Sequence, residues 1–167
     1  MVTVYDGGDH IFDRYHINAA VEKALERRVW LKSGGFLVID QTESCFVIDV
    51  NTGKYAGDIN HGNSMLRLNL EASAEIAYQI RLRNMCGMII IDFIGLKNIE
   101  DKELVFRTIR GELAKDRIPV NIHDTSVSGL FILTRKRIRE PLSGVLQQTC
   151  ARCGGSGRIK MERDMHE

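Results

Sequence analysis

The sequence predicts an α/β domain built on a mixed, partly parallel sheet flanked by helices, with a cysteine knuckle at its carboxyl end. Three observations carry this. Two apolar runs each end on an aspartate, Cys45-Phe46-Val47-Ile48 on Asp49 and Met88-Ile89-Ile90-Ile91 on Asp92. Strand-like and helix-like patterns alternate in the order strand, helix, strand, helix, strand, which favours layers and parallel pairing. Near the end of the chain, Cys150 and Cys153 enclose two residues and precede Gly154-Gly155-Ser156-Gly157.

Taken in order, Asn18 is placed to cap a modest amphipathic helix through Ala19, Ala20, Val21, Ala24 and Leu25, with Glu26-Arg27-Arg28 at its end. Ser33-Gly34-Gly35 breaks the chain before Phe36-Leu37-Val38-Ile39. Asp40-Gln41-Thr42-Glu43 then separates that run from Cys45–Ile48, so a hairpin is expected. From Val50 to Ser64 the residues Gly53, Gly57, Asp58, Asn60, Gly62 and Asn63 have no period and read as a long loop beside Asp49.

Leu66, Leu70, Ala74, Ala77 and Ile80, with Leu68 and Ile76 alongside, recur at helical spacing until Asn84 and Gly87. They predict a helix of about 16 residues, near the length of ordinary globular helices. Asn98 with Asp101 resembles a cap for a second helix through Leu104, Val105, Ile109 and Leu113, ending near Asp116. Pro119-Val120-Asn121-Ile122 and Gly129-Leu130-Phe131-Ile132-Leu133 are short strand candidates, and Met161–Glu167 reads as a frayed tail.

At 167 residues, 44% hydrophobic and 27% charged, the chain suffices for one main globular domain with its own core. A formal net charge of +1 gives no global basic field, so any nucleic-acid binding must come from local patches. No signal peptide opens the chain and no apolar run approaches the roughly 18 residues of a membrane span, so a cytoplasmic protein is expected. Cys45 and Cys86 stand alone and read as small core residues, which leaves no secreted disulfide pattern.

Were the two aspartate-ended runs neighbouring parallel strands, both carboxylates would emerge at one carboxyl edge, where open α/β sheets bind ligands. Two converging acids point to a divalent cation, and Mg²⁺ typically takes one or two carboxylates while leaving room for phosphate oxygens. The plainer reading of Asp49 is a strand-end residue capping the next loop. Asp92 interrupts an apolar stretch, where an ionised group is costly to desolvate unless something meets it. Asn51, two residues beyond Asp49, projects on the same side if the strand continues, and is otherwise a turn asparagine.

The Cys150/Cys153 spacing fits a zinc knuckle, whose glycines let the backbone turn beneath the sulfurs; a redox pair and plain structural thiols are the alternatives. One pair supplies half the ligands, and the other half is expected from a second copy of the chain, making the knuckle a dimer link. Arg81, Arg83, Arg135, Lys136 and Arg137 form basic stretches that are either RNA contacts or a solvated face. The five histidines show no metal spacing.

Ser33-Gly34-Gly35, Ile39–Glu43, Ile48-Asp49-Val50-Asn51-Thr52-Gly53-Lys54, Asn69-Leu70-Glu71-Ala72, Arg81-Leu82-Arg83-Asn84, Ile89–Ile94, Thr134-Arg135-Lys136-Arg137 and the knuckle together resemble the ribonuclease E/G family. The resemblance implies a lead-in and helix over 1–32, a deoxyribonuclease I-like catalytic subdomain over 33–148, a zinc link over 149–160 and a tail over 161–167. It implies Mg²⁺ held by Asp49 and Asp92 with Asn51 in support, and Zn²⁺ shared by Cys150 and Cys153 with the same pair of a second protomer. The implied activity is endonucleolytic hydrolysis of single-stranded RNA in RNA processing and decay, leaving a 5′ phosphate on the downstream product. A zinc-linked dimeric scaffold that binds RNA or protein without cutting is the rival reading.

Family members also carry, ahead of this stretch, an RNA-clamping S1 domain and a 5′-phosphate sensor, so a fragment or a reduced relative is expected. Ser44, Cys86, Gly95 and Ile132 stand where the family usually has alanine, glycine, an acidic residue and glutamate.

Overall fold

A computed structural model describes residues 4–53, 62–123 and 130–161. Among them the order is α1 (Ile11–Arg14), α2 (Ile17–Leu25), β1 (Arg28–Trp30), β2 (Phe36–Gln41), β3 (Cys45–Asn51), α3 (Gly62–Leu82), β4 (Gly87–Asp92), α4 (Ile99–Leu113), β5 (Val120–Ile122), β6 (Phe131–Arg135) and α5 (Leu142–Leu146). The strands form one mixed sheet in the order β1-β2-β3-β4-β6-β5. Only β3 and β4 run parallel; every other neighbouring pair is antiparallel. The expected β2–β3 hairpin is present, closed where Thr42 Oγ1 donates to the Cys45 carbonyl and accepts from the Cys45 N–H.

Period-two alternation decides which side of the sheet is covered. Leu37 and Ile39, Phe46, Ile48 and Val50, Ile89 and Ile91, and Phe131 and Leu133 all point to one face. They join Leu68, Ala72, Ile76 and Ile80 of α3 and Ile109 and Leu113 of α4 in a single core cluster. On the opposite face Val38, Val47 and Ile90 are only half-buried, and Met88 is 47% exposed. The helices of the core therefore gather on one side of the sheet and leave the other side to solvent.

Several sequence expectations need correction. The buried stripe of α3 is Leu68-Ala72-Ile76-Ile80 with Asn69, Ser73 and Ala77, while Ala74 is exposed, because the crowded apolar positions of this helix allow two stripes and the sheet selects one. The helix is also longer than expected, starting at Gly62, inside the stretch read as a loop; residues 54–61 of that stretch lie outside the described residues. Helix α2 begins at Ile17, preceded by His16, whose side chain makes no capping hydrogen bond, and Asn18 instead donates through Nδ2 to Asp13 at 2.5 Å. Asn98 does cap α4, its Oδ1 accepting from the Glu100 N–H at 3.1 Å. Arg28 ends no helix but begins β1, so the sheet starts before Ser33. Cys86 is buried and Cys45 half-buried. All of the tail beyond Met161 lies outside the described residues.

The far end of the sheet is locked by a buried charge. Arg135 donates from Nε to Asp116 at 2.8 Å, and from Nη1 to the Asn84 side chain at 2.9 Å and the Met85 carbonyl at 3.0 Å. The side chains of the pair are 3% and 4% exposed. This joins β6, the end of α4 and the α3–β4 turn, where Asn84 takes a left-handed φ of 49°. Burial pushes the Asp116 carboxyl up, but the hydrogen bond from Arg135, the Ile118 N–H and the nearby guanidinium charges outweigh it and hold the group below its ordinary value of 3.8. A depressed folded value means that the stability contributed is complete above the ordinary value and is lost as pH falls through the folded one. Replacing Asp116 with alanine strands a buried guanidinium and is expected to cost about 3–5 kcal/mol. Urea denaturation at neutral pH checks this, and the acid-side slope of stability against pH should flatten in the variant.

Candidate metal and phosphate site

The parallel pairing sets Asp49 directly opposite Asp92. Neighbouring strands lie about 4.8 Å apart, so both carboxylates leave the same edge and the same face side by side. Asn51, the last residue of β3, is on that face too, and its Nδ2 donates to Asp49 Oδ2 at 2.8 Å. That bond occupies one carboxylate oxygen and orients the other. The three side chains form an oxygen-rich set open to solvent, the donor chemistry of a hard divalent cation with free positions for phosphate oxygens and water. Among the described residues no third His, Cys, Asp or Glu joins a metal-binding group.

Asp92 is exposed, so the desolvation cost expected of it is not incurred: its apolar neighbour Ile91 points into the core while the carboxylate points away. Gly95 faces open space, and a side chain there would meet nothing within 4 Å. The acid that the family resemblance leads one to expect there could be added without any disturbance of packing.

Two devices hold this edge. Asn69 of α3 is fully buried and pairs with the backbone of Ile94, donating to its carbonyl at 2.8 Å and accepting from its N–H at 3.1 Å. The exit of β4 is thereby fixed to the helix. Beside it, the Glu71 carboxylate takes the N–H groups of Lys32 and Ser33 at 2.6 and 3.2 Å. Gly35 lies under this turn where an added Cβ would come within 2.8 Å of the Asn51 carbonyl. At Gly53, with a φ of 60°, an added Cβ would likewise collide with the Gly34 carbonyl. Asn69 was missed in the sequence; its signal was an amide inside an apolar helical stripe.

The basic candidates do not converge on the acids. Arg83 is buried, with Nε on Gln79 at 2.7 Å and Nη1 on the Glu26 carbonyl at 2.7 Å, and burial pulls its pKa down. Arg135 is committed to Asp116. Neither guanidinium is on offer to a ligand, because both serve as internal hydrogen-bond hubs. Arg81 is half-buried and donates to the Glu112 carbonyl at 3.3 Å. Lys136 and Arg137 are exposed, but they follow the residue paired with Gly87, at the opposite end of β4 from Asp92. The cation that shares a row with the acids is Arg28, paired with Val38, which pairs with Asp49.

At the knuckle, Cys150 is exposed and Cys153 half-buried. The Gly154 N–H donates to the Cys150 carbonyl at 2.8 Å, and Gly154, Gly155 and Gly157 take positive φ values that turn the backbone under the thiols. The backbone N–H groups of Cys153 and Arg152, with the Cys153 thiol, lower the Cys150 pKa. A thiol surrounded by donors suits a thiolate metal ligand, and the described residues bring two such sulfurs together and no third ligand.

Residues 1–138 match the Ribonuclease E/G family. Ribonuclease G of Salmonella typhimurium (strain SL1344) is 44% identical over 93% of this chain, which covers 32% of that protein. The Ribonuclease E/G-like protein, chloroplastic, of Arabidopsis thaliana is 38% identical over 95% of the chain and 16% of its own length. Ribonuclease E of Nostoc sp. is 39% identical over 88% of the chain and 21% of its length. The chain thus spans about a third, or less, of these curated relatives.

The donor-rich setting of Cys150 gives a direct expectation. Its alkylation by iodoacetamide, followed residue by residue by mass spectrometry, should rise with pH at a midpoint below the ordinary thiol value of 9.0. Inserting proline for Arg152, which deletes one donor N–H, should move that midpoint upward.

Proposed function

The chain belongs to the ribonuclease E/G family, and from that premise we propose that its sheet edge is the Mg²⁺-dependent cutting site of an endoribonuclease acting on single-stranded RNA in RNA processing and decay. The observation that carries the reading is the in-register placement of Asp49 and Asp92 on one face, with Asn51 bonded to the first. Asp49 and Asp92 would hold Mg²⁺. When bound, the ion supplies Lewis-acid polarisation of the scissile phosphate and orientation of the attacking water. Asn51 keeps Asp49 from rotating away, and second-shell bonds of this kind commonly govern metal affinity tenfold or more. Asn69 holds the chain beyond Asp92, so both carboxylates are presented on rigid backbone. No side-chain nucleophile is required.

Cys150 and Cys153 are the proposed half-site for a Zn²⁺ shared between two copies of the chain. Described cysteines that are all free suit a reducing, cytoplasmic setting. None of the described helices is long and apolar enough to cross a membrane.

Asp49→Asn and Asp92→Asn should each abolish Mg²⁺-dependent cleavage of a 5′-monophosphorylated single-stranded RNA while leaving the circular dichroism and melting curve unchanged. Cleavage persisting in both variants would remove this site, whereas wild-type binding with no Mg²⁺-dependent cleavage would leave the zinc-linked scaffold. For the link, sedimentation should show a dimer with about half a zinc ion per chain, dissociated by chelator and by Cys150→Ser. A zinc-free dimer would count against it.

A further inference from the structure

The geometry points to a base-stacking platform on the open face of the sheet, formed by Trp30, Phe36 and Arg28, that receives a nucleobase of the RNA strand next to the scissile phosphate. This rests on the RNA-cleaving reading of the acid pair. The pairing register places the platform. Arg28, Val38, Asp49 and Asp92 form one row across four strands, and Trp30, Phe36 and Asn51 form the next row on the same face, two residues along each strand. Residues directly opposite each other share a face, so the aromatic rings stand on the same surface as the carboxylates. Two strand spacings separate β1 from β3, or about 10 Å, within reach of a neighbouring nucleotide.

The groups themselves suit a nucleotide. Trp30 is 59% exposed, on an edge strand, and its ring centroid lies 5.1 Å from that of Phe36. The Arg28 guanidinium sits 4.5 Å from the Phe36 ring centroid and 5.6 Å from that of Trp30. Among the described residues it has no carboxylate partner; the ion pairs there are Arg27–Asp40, Lys115–Glu112 and Arg135–Asp116. An apolar protein segment laid on the rings would leave this cation unmatched. A nucleotide offers both a flat base for the indole and a phosphate for the guanidinium, the combination by which single strands are gripped without sequence preference.

Trp30 is the only tryptophan of the chain, so its fluorescence reports on the platform alone. The full chain is titrated in Mg²⁺-free buffer without chelator, which prevents Mg²⁺-dependent cleavage and leaves the proposed zinc link intact, with short single-stranded oligoadenylate and with an abasic strand of equal length. Saturable quenching by oligoadenylate, absent with the abasic strand, is the expected result. Trp30→Ala should weaken binding of an end-labelled oligoadenylate, read by anisotropy, by at least about fivefold, and Trp30→Phe should recover most of it. Arg28→Ala should lower the slope of log affinity against log salt by about one. Equal quenching by both strands, no quenching, or unchanged affinity in Trp30→Ala would overturn the platform. Base-dependent quenching without any Mg²⁺-dependent cleavage would keep the platform and fell the cutting reading, and cleavage without base-dependent quenching would do the reverse.

Discussion

Everything at the proposed site depends on the register between β3 and β4. A slip of one residue would carry Asp49 or Asp92 to the helix-covered face and an isoleucine to solvent. The register is enforced from below: Phe46, Ile48 and Val50 on one strand and Ile89 and Ile91 on the other all enter one core cluster with the buried stripe of α3. The carboxylates owe their juxtaposition to apolar packing on the opposite side of the sheet. Their own mutual repulsion opposes it. A cation between them would relieve that repulsion, which is why the proposed Mg²⁺ suits this arrangement.

The acid pair was legible in the sequence because each aspartate closes an apolar run long enough to be a buried strand, and the intervening helical period made a parallel crossover natural. The caps and stripe of α4 were legible for the same local reasons. Other features were not. Three-residue β1, Arg28-Val29-Trp30, has a single aliphatic residue and no run to detect. Arg83 and Arg135 looked like their solvated neighbours, since burial of a guanidinium depends on distant partners such as Asp116, Glu26 and Asn84 that no local pattern announces. The desolvation assigned to Asp92 failed because counting apolar neighbours along a strand mixes two faces.

Polar anchors supply what apolar packing cannot. Asn69 fixes the chain after β4 through a two-bond amide contact, and Glu71 fixes the turn before β2. Both come from α3, two residues apart, so a single helix braces the two segments that flank the carboxylates. Lengthening α3 toward Gly62 gives that brace extra turns on the site side of the core.

The sheet ends on strands only three residues long, β1 at one side and β5 at the other. An exposed edge is a template on which another chain can add a strand, and short edges limit how many ladder bonds such an intruder gains. Arg28 and the proline before Val120 shorten the usable edge further. The long, flat, apolar strands that would be hazardous at an edge, Cys45–Asn51 and Gly87–Asp92, occupy the middle. The same placement that centres the carboxylates in the sheet therefore protects the most aggregation-prone segments of the chain from edge-to-edge assembly.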